Sequence, residues 1–341
     1  MTTPSIARLH RLLQQALEVE LFTIPPYLTA LYSIIDGTNA ASVQVIQSVA
    51  MEEMLHAALV SNIMNAIGAT PRVVKDKSGN GPERVGYPSQ APHISPEMRE
   101  LIVGLLPFSK EAVEAFMAIE LPDEPAKDWS KTGGIATIGQ LYATVRNALI
   151  AVSEEVGEVN LFSGDPERQL VAGDYYGGGG RLAPIDCLAE ALAAIDIIAQ
   201  QGEGRVDLSN LTGDDVRFGQ PKDVAHYYRF QEIYCERYYD RDDDIGAPTG
   251  ARLPVEWHAA HPIGEPPARQ PPANLNAVSA AFEATYEELL QALHRAFNGD
   301  KSAMLEAVPV MQRLKVQASE IMRIGIGGHK TCVPPFWFMR S

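Results

Sequence analysis

Apolar residues recur every three or four positions along most of the chain, which is the spacing of amphipathic helices. The first stripe runs from Ile6 to about Ile35, and the second from about Ala40 to Ile67, where Gly68 follows. Strand-like alternation of any length is absent from the sequence, so the predicted fold class is all-α. Further stripes predict helices at about 109–120, 137–159, 185–201, 224–237, 282–297 and 302–323.

Prolines modify this helical pattern. Pro25 and Pro26 lie inside the first stripe and are expected to kink that helix, because proline removes an amide donor. Pro184 is suited to the first position of the helix that follows it. Pro309 is expected to interrupt the last helix.

Proline and glycine also indicate how the chain divides. Residues 70–95 and 160–184 are predicted to be long irregular insertions. We expect a metal-binding helical bundle over 1–245, a proline-rich linker over 246–275, and a C-terminal helical pair over 276–341 packed on the bundle.

Ionisable residues fall on the apolar stripes of the first two helices. Glu20 lies in the centre of the first stripe, and burial of an unpaired carboxylate costs several kcal/mol. Glu53 and His56 continue the second stripe, three residues apart on one helical face. Glu52 lies about 100° round the helix, so Glu53 is the inward member of the pair. One Glu and one Glu-x-x-His motif on neighbouring helices are typical ligands of a two-metal carboxylate centre.

The same test identifies a second half of the centre. Glu120 shares a helical face with Val113, and His226 aligns with Phe230. Because no second Glu-x-x-His occurs in this region, we assign its two roles to Glu203 and His226. Asp196 competes with Glu203 for the carboxylate role.

Each candidate ligand also has an explanation that does not involve a metal ion. Glu20 can be a core carboxylate bonded to a tyrosine, Glu120 an exposed helix end, Glu203 a solvated loop residue and His226 a satisfied core histidine. Tyr27 is assigned to core packing, with contact to the centre as the alternative. Four carboxylates and two neutral imidazoles together carry a charge of −4, which two divalent cations would balance. Oxygen and nitrogen ligands without thiolate favour iron or manganese.

The bulk composition restricts the partners. A net charge of −15 disfavours nucleic acid and anionic membrane surfaces as partners. The sequence lacks an apolar run of about 18 residues, and its N-terminus lacks a signal-peptide layout. The three cysteines are widely spaced and are expected to be reduced thiols of a cytoplasmic protein.

Five segments, taken in order, resemble the ferritin-like domain of the iminophenyl-pyruvate dimer synthase family, which also occurs in bisindole-pathway enzymes for violacein and rebeccamycin precursors. The resemblance extends over most of the chain, including Cys332-Val-Pro-Pro-Phe. It implies a ferritin-like helical bundle and strengthens the assignment of Glu203 and His226. The segments begin at Glu20 (ELFTIPPYL), Glu52 (EEMLH), Phe116 (FMAIELP), Gln201 (QGEG) and His226 (HYYRF).

The predicted function is an oxidase, oxygenase or oxidative-coupling enzyme with a di-iron centre, acting on a small aromatic or imine substrate. Two iron ions are the predicted cofactors, with manganese as the alternative metal. The predicted partners are a small-molecule substrate and dioxygen, and formation of a homo-oligomer is left open. The alternatives are non-catalytic metal binding, including iron sequestration, and a metal-free interaction module. The last would leave Glu20, Glu53 and His56 buried without a compensating charge.

Overall fold

A computed structural model describes residues 5–74, 104–121, 137–175, 180, 182–202, 224–240, 243, 246–264, 272 and 274–336. Glu203, most of the predicted insertion at 70–95, Gly177 to Gly179 and parts of the predicted linker lie outside the described residues. The predicted all-α class is confirmed, because helices dominate the described chain. The helices are α1 (Ile6–Ser33), α2 (Ala40–Ala66), α3 (Lys110–Ile119), α4 (Ile138–Val156), α5 (Glu158–Leu161), α6 (Leu188–Gly202), α7 (His226–Cys235), α8 (Leu275–Phe297) and α9 (Ser302–Ile321).

Side-chain caps fix the starts of several helices. The hydroxyls of Ser5, Ser109 and Thr137 each accept a hydrogen bond from a backbone amide in the first turn of α1, α3 and α4. A one-turn 3₁₀ helix, Pro166–Arg168, follows α5.

The prolines inside two of the helices do not end them. Helix α1 continues through Pro25 and Pro26, both of which are buried, and α9 continues through Pro309. The predicted interruption of the last helix is therefore wrong. Helix α6 begins at Leu188, so Pro184 lies in the preceding loop and not at the first helical position.

A small sheet was not predicted from the sequence. Its strands are β1 (Ile263–Gly264), β2 (Gly325–Gly327) and β3 (Lys330–Cys332), in the order β1-β3-β2. The first pair is parallel and the second antiparallel. Strands of two or three residues are too short to show alternation in the sequence.

One continuous apolar core joins the helices. It contains Leu13 of α1, Val60 of α2, Leu149 of α4 and Phe282 of α8, all fully buried. The Nδ2 group of Asn65 donates hydrogen bonds to the backbone carbonyls of Arg168 and Phe297, which ties α2 to the end of α8. The division into a bundle, a linker and an extension stays a prediction.

Two further properties follow from the described chain. Cys187, Cys235 and Cys332 are all free thiols. Within the described ranges, no helix is both long and apolar enough to cross a membrane.

Candidate metal centre

Four helices bring five of the predicted site residues together. Glu20 lies in the middle of α1, Glu53 and His56 in α2, Glu120 at the C-terminal end of α3, and His226 at the start of α7. Each is at most 3% exposed. Each ionisable residue lies on the apolar stripe of its helix. Packing of that stripe against the core therefore buries the ionisable side chain as well.

The five side chains form two overlapping groups, each of which could hold a metal ion. One group is Glu20, Glu53 and His56, and the other is Glu53, Glu120 and His226; in each, ligand atoms lie within 4.8 Å of one another. Glu53 belongs to both groups, so its carboxylate lies between the two halves of the centre. The imidazole rings of His56 and His226 stack with centroids 5.6 Å apart and planes 21° apart.

Hydrogen bonding fixes the tautomer of His56. Its Nε2 atom lies 2.9 Å from the amide oxygen of Gln201, which only accepts hydrogen bonds, so Nε2 carries the proton. In the neutral ring, Nδ1 is then an acceptor. It lies at a hydrogen-bond distance of 3.2 Å from Glu20 Oε2 and 3.7 Å from Glu53 Oε1.

His226 is held in the same way. Its Nε2 atom donates to Glu52 Oε2 at 2.9 Å. Its Nδ1 atom lies 2.9 Å from Glu53 Oε1 and 3.5 Å from Glu120 Oε2. Neither contact has hydrogen-bond geometry, so within the described chain this fully buried nitrogen has no hydrogen-bond partner.

Glu52 is itself fixed by an arginine. Arg229 donates from two guanidinium nitrogens to the two oxygens of Glu52, at 2.9 and 3.1 Å. Burial alone would raise the pKa of Glu52, but the hydrogen bonds and charges of His226 and Arg229 lower it to about 2. Glu52 is therefore a permanent anion that holds His226.

The inward carboxylates also receive hydroxyl donors. Tyr142 donates to Glu20, and Tyr27 donates to Glu120. Thr23 Oγ1 lies 2.8 Å from both Glu53 Oε2 and the Glu20 carbonyl, and its single proton serves one of them at a time. These contacts aim the carboxylates at the interior of the centre.

Burial opposes ionisation of the inward carboxylates, and the imidazole of His226 compensates their charge in part. Burial raises the pKa of Glu20 to about 7, although Tyr142 and Glu53 hydrogen bonds oppose this. Burial also raises the pKa of Glu53 and of Glu120, and repulsion between Glu53 and its carboxylate neighbours adds to it. Burial would lower the pKa of His226, but the surrounding carboxylates raise it well above its usual range.

The residues present fit a pair of metal ions. Three inward carboxylates crowd together, and both imidazoles turn Nδ1 toward them while Nε2 is held from outside. An imidazole that ligates a metal through one nitrogen and donates its other N–H to a protein acceptor is the usual arrangement. The Nδ1 atom of His226, which lies 2.9 Å from Glu53 Oε1 without hydrogen-bond geometry, therefore lies where a cation would bind.

The predictions for Glu203 and for the competing carboxylate of Asp196 have different outcomes. Glu203 lies outside the described residues, so its predicted role stays a prediction. The preceding residue, Gly202, ends α6 beside the centre, and a Cβ at that position would lie 3.8 Å from Glu120 Oε2. Asp196 is exposed and faces Arg146 at 3.5 Å, so it is not part of the centre.

Several contacts of the centre were missed by the sequence reasoning. Glu52 lies about 100° round α2 from the inward stripe and was not assigned to the centre, yet it is buried against α7. The only sequence feature that could have pointed to Gln201 is its position next to the Gly202-Glu203 segment. Tyr142 follows the apolar stripe of α4 and resembles an ordinary core tyrosine. Of the two assignments considered for Tyr27, contact with the centre is present, alongside packing on Phe116.

Comparison with known proteins agrees with this architecture. A family model described as Ferritin-like matches residues 13–235. The structure also resembles a crystal structure of a ferritin-like protein from Caulobacter vibrioides, with 25% sequence identity, a TM-score of 0.62, and coverage of 97% of this chain and 100% of that one. No curated protein matches the sequence.

Proposed function

Because the chain belongs to the ferritin-like family, we propose that its buried Glu/His cluster is a di-iron centre that performs oxidative chemistry on a small aromatic or imine substrate. The observation that carries this proposal is the pair of overlapping ligand groups that share Glu53. Oxygen and nitrogen donors without thiolate favour iron, with manganese as the alternative.

The ligands divide between two ions. Glu20, Glu53 and His56 would hold one, and Glu53, Glu120 and His226 the other. Glu203 is the further carboxylate expected from the sequence. Two iron ions in such a set supply the capacity to react with dioxygen and to withdraw electrons from a bound substrate.

The chain's own residues prepare the centre for that chemistry. Gln201 and Glu52 hold the two imidazoles with Nδ1 inward, and Thr23 orients the shared carboxylate of Glu53. Tyr27 and Tyr142 each hold a proton on a hydroxyl that touches a ligand carboxylate. Burial of the whole set excludes bulk water, which strengthens every electrostatic contact within it.

The resemblance to the iminophenyl-pyruvate dimer synthase family supports the substrate class. The pathway enzymes of the family that this chain resembles couple imines derived from aromatic amino acids. A related activity here would be the oxidative coupling of a small aromatic imine.

Metal content is the first test. Protein purified without added metal or chelator is expected to carry about two iron ions per chain. Glu53→Ala and His56→Ala should lose them, whereas Asp196→Ala, which removes an exposed carboxylate of α6, should retain them. A wild-type chain that remains metal-free after anaerobic Fe(II) addition would exclude the di-iron proposal.

Measurement of oxygen consumption then distinguishes an enzyme from a protein that only binds iron. The iron-loaded protein should consume dioxygen in the presence of imines made by an aromatic amino acid oxidase, and the Glu53→Ala variant should not. Retention of iron without substrate-dependent oxygen consumption would favour non-catalytic iron binding.

A further inference from the structure

The two halves of the candidate centre have the same plan of carboxylates and tyrosines. Each half combines the shared Glu53 with one further carboxylate, Glu20 or Glu120. Tyr142 donates its hydroxyl hydrogen bond to Glu20. In the same way, Tyr27 donates to Glu120. Among the described contacts, the clearest difference between the halves therefore lies at their imidazoles.

The imidazole of His226 donates to an anion. Its Nε2 atom lies 2.9 Å from Glu52 Oε2. Arg229 donates to both oxygens of Glu52, at 2.9 and 3.1 Å, and its own Nε atom donates to the carbonyl of Val224 at 2.6 Å. The arginine is thus fixed in the core, and it keeps the carboxylate ionised. Glu52 therefore attracts the Nε2 proton of His226 as a full negative charge.

The imidazole of His56 donates to a neutral group instead. Its Nε2 atom lies 2.9 Å from the amide oxygen of Gln201, in the last turn of α6. An amide oxygen is a weaker acceptor than a carboxylate, because it carries only a partial negative charge. The rings of His56 and His226 are both at most 1% exposed, so bulk water does not screen this difference.

The difference between the acceptors changes how strongly each ring can bind a cation. An imidazole that donates its N–H to a carboxylate becomes more basic at its other nitrogen and is a stronger metal ligand. In both rings that other nitrogen is Nδ1, which lies 2.9 Å from Glu53 Oε1 in His226 and 3.7 Å from it in His56. Nδ1 of His226 should therefore be the stronger ligand of the two.

We propose that the half of the centre that contains His226 takes the first metal ion, and that the half that contains His56 holds the second ion more weakly. Glu52 and Gln201 are the positioning residues that set this order through the two imidazoles. The inference rests on the proposed two-metal centre. It adds the order in which the halves fill, the half that exchanges its ion with solution, and the residues that control both.

Titration of the full-length, chelator-treated protein with Co(II) tests this order, with visible absorption as the readout. Gln201→Glu gives His56 an anionic acceptor of nearly the same shape. Gln200→Glu adds the same charge at the neighbouring, exposed position of α6 and is the matched control. The wild type should bind about two ions in two steps. Gln201→Glu should strengthen the weaker step by about tenfold and shift its absorption band, whereas Gln200→Glu should change neither.

Glu52→Gln provides the complementary test, because it replaces the anionic acceptor of His226 by an amide. It should weaken the tighter step by about 10- to 100-fold and leave the weaker step near its wild-type affinity. Repulsion between two bound ions would also give two steps, and a general loss of structure would weaken both. A different step responding to each variant is therefore the result that identifies the positioning role.

Three results would overturn the proposed order and leave the metal centre intact. The first is a wild-type Co(II) titration in both Gln201→Glu and Glu52→Gln, and the second is an equal change of both steps in either variant. The third is an equal effect of Gln200→Glu and Gln201→Glu, which would reduce the effect to added charge. Should one variant fail to fold, the other decides. A wild type that binds neither Co(II) nor Fe(II) would overturn both the order and the two-metal centre.

Discussion

Glu52 of α2 accepts a hydrogen bond from Nε2 of His226 at 2.9 Å, although the two residues are separated by 174 positions in the sequence. The bond determines which nitrogen of His226 faces the interior. Since Arg229 neutralises Glu52, the carboxylate is stable in the core and orients the imidazole without competing for a metal.

Replacement of Glu52 by glutamine should therefore damage both stability and metal binding. The variant leaves Arg229 without its ionic partner in the core, which should cost about 2 kcal/mol of unfolding free energy or more. A neutral amide is a weaker acceptor for His226 Nε2–H than a carboxylate, and its NH2 group cannot replace the second carboxylate oxygen, so metal affinity should weaken by about 10- to 100-fold. Urea denaturation and anaerobic Fe(II) titration measure the two effects. Wild-type affinity in a folded variant would contradict the orienting role.

Glu53→Gln should have the opposite effect on the metal-free protein. Burial and the nearby Glu20 charge raise the pKa of Glu53, so its ionised form opposes folding. Glutamine has the same shape without the charge, and it should stabilise the chelator-treated protein at pH about 8.

Addition of metal should affect the wild type and Glu53→Gln differently. Fe(II) or Mn(II) should raise the melting temperature of the wild type, because a ligand that binds only the native state stabilises it. Glu53→Gln should show little or no rise. A metal-free Glu53→Gln that is less stable than wild type would show that the buried carboxylate serves folding instead.

The pH dependence of stability provides a third prediction. The pKa of Glu20 rises from 4.5 to about 7 on folding, so the native state keeps a proton that the unfolded state releases. Stability of the metal-free protein should fall as pH rises from about 4.5 to about 7, by on the order of 3 kcal/mol from this group.

Glu20→Gln isolates the contribution of that residue. The difference in unfolding free energy between wild type and variant should change across this pH interval in the chelator-treated proteins. Bound metal should reduce the change, because a cation stabilises the ionised carboxylate in the native state. An identical pH profile for the two metal-free proteins would show that Glu20 has no raised pKa.

The helices and the burial of the inward Glu and His side chains were predictable because both depend on local periodicity. Glu20, Glu53 and His56 occupy positions that apolar residues fill elsewhere on the same stripes, so burial follows from spacing alone. Glu120 and His226 lie at helix ends, where only a turn or two of periodicity is present. They still reach the centre because α3 and α7 pack against each other.

The supporting contacts were not predictable by the same route. Glu52 lies off the inward stripe of α2, and its burial depends on where α7 and Arg229 pack. Tyr142 meets Glu20 across 122 positions of sequence, a pairing that no local pattern encodes. Such contacts depend on tertiary packing, as does the path of α1 through Pro25 and Pro26.

The C-terminal pair provides a prediction on domain organisation. Phe282 of α8 is fully buried and meets Phe336 edge-to-face, with centroids 4.9 Å apart. Phe282→Ala should cost about 3 to 5 kcal/mol. Since α8 shares its core with the bundle, the variant should lower the same unfolding transition that metal raises. Calorimetry that resolves a separate transition, insensitive to metal, would instead indicate an independent domain.

Two buried threonines of α1 provide a matched pair for the last prediction. Both are fully buried, but Thr23 Oγ1 lies 2.8 Å from Glu53 Oε2, whereas Thr29 Oγ1 has no hydrogen-bond partner within the described chain. Valine has nearly the same shape as threonine and lacks the hydroxyl. A buried hydroxyl without a partner costs about 1 to 3 kcal/mol. Thr29→Val should therefore leave metal affinity unchanged and raise the unfolding free energy by about 1 kcal/mol.

Thr23→Val removes a hydroxyl that holds the shared carboxylate. It should lower metal affinity by about tenfold, because a single hydrogen bond to a charged group is worth about 1.5 kcal/mol or more. In the metal-free protein its effect on stability should be smaller, since the carbonyl of Glu20 also has a helical amide donor. Fe(II) titration and urea denaturation of both variants separate the two roles. If the two substitutions change metal affinity equally, the Thr23 hydroxyl does not orient Glu53, and the position of that carboxylate is set by packing alone.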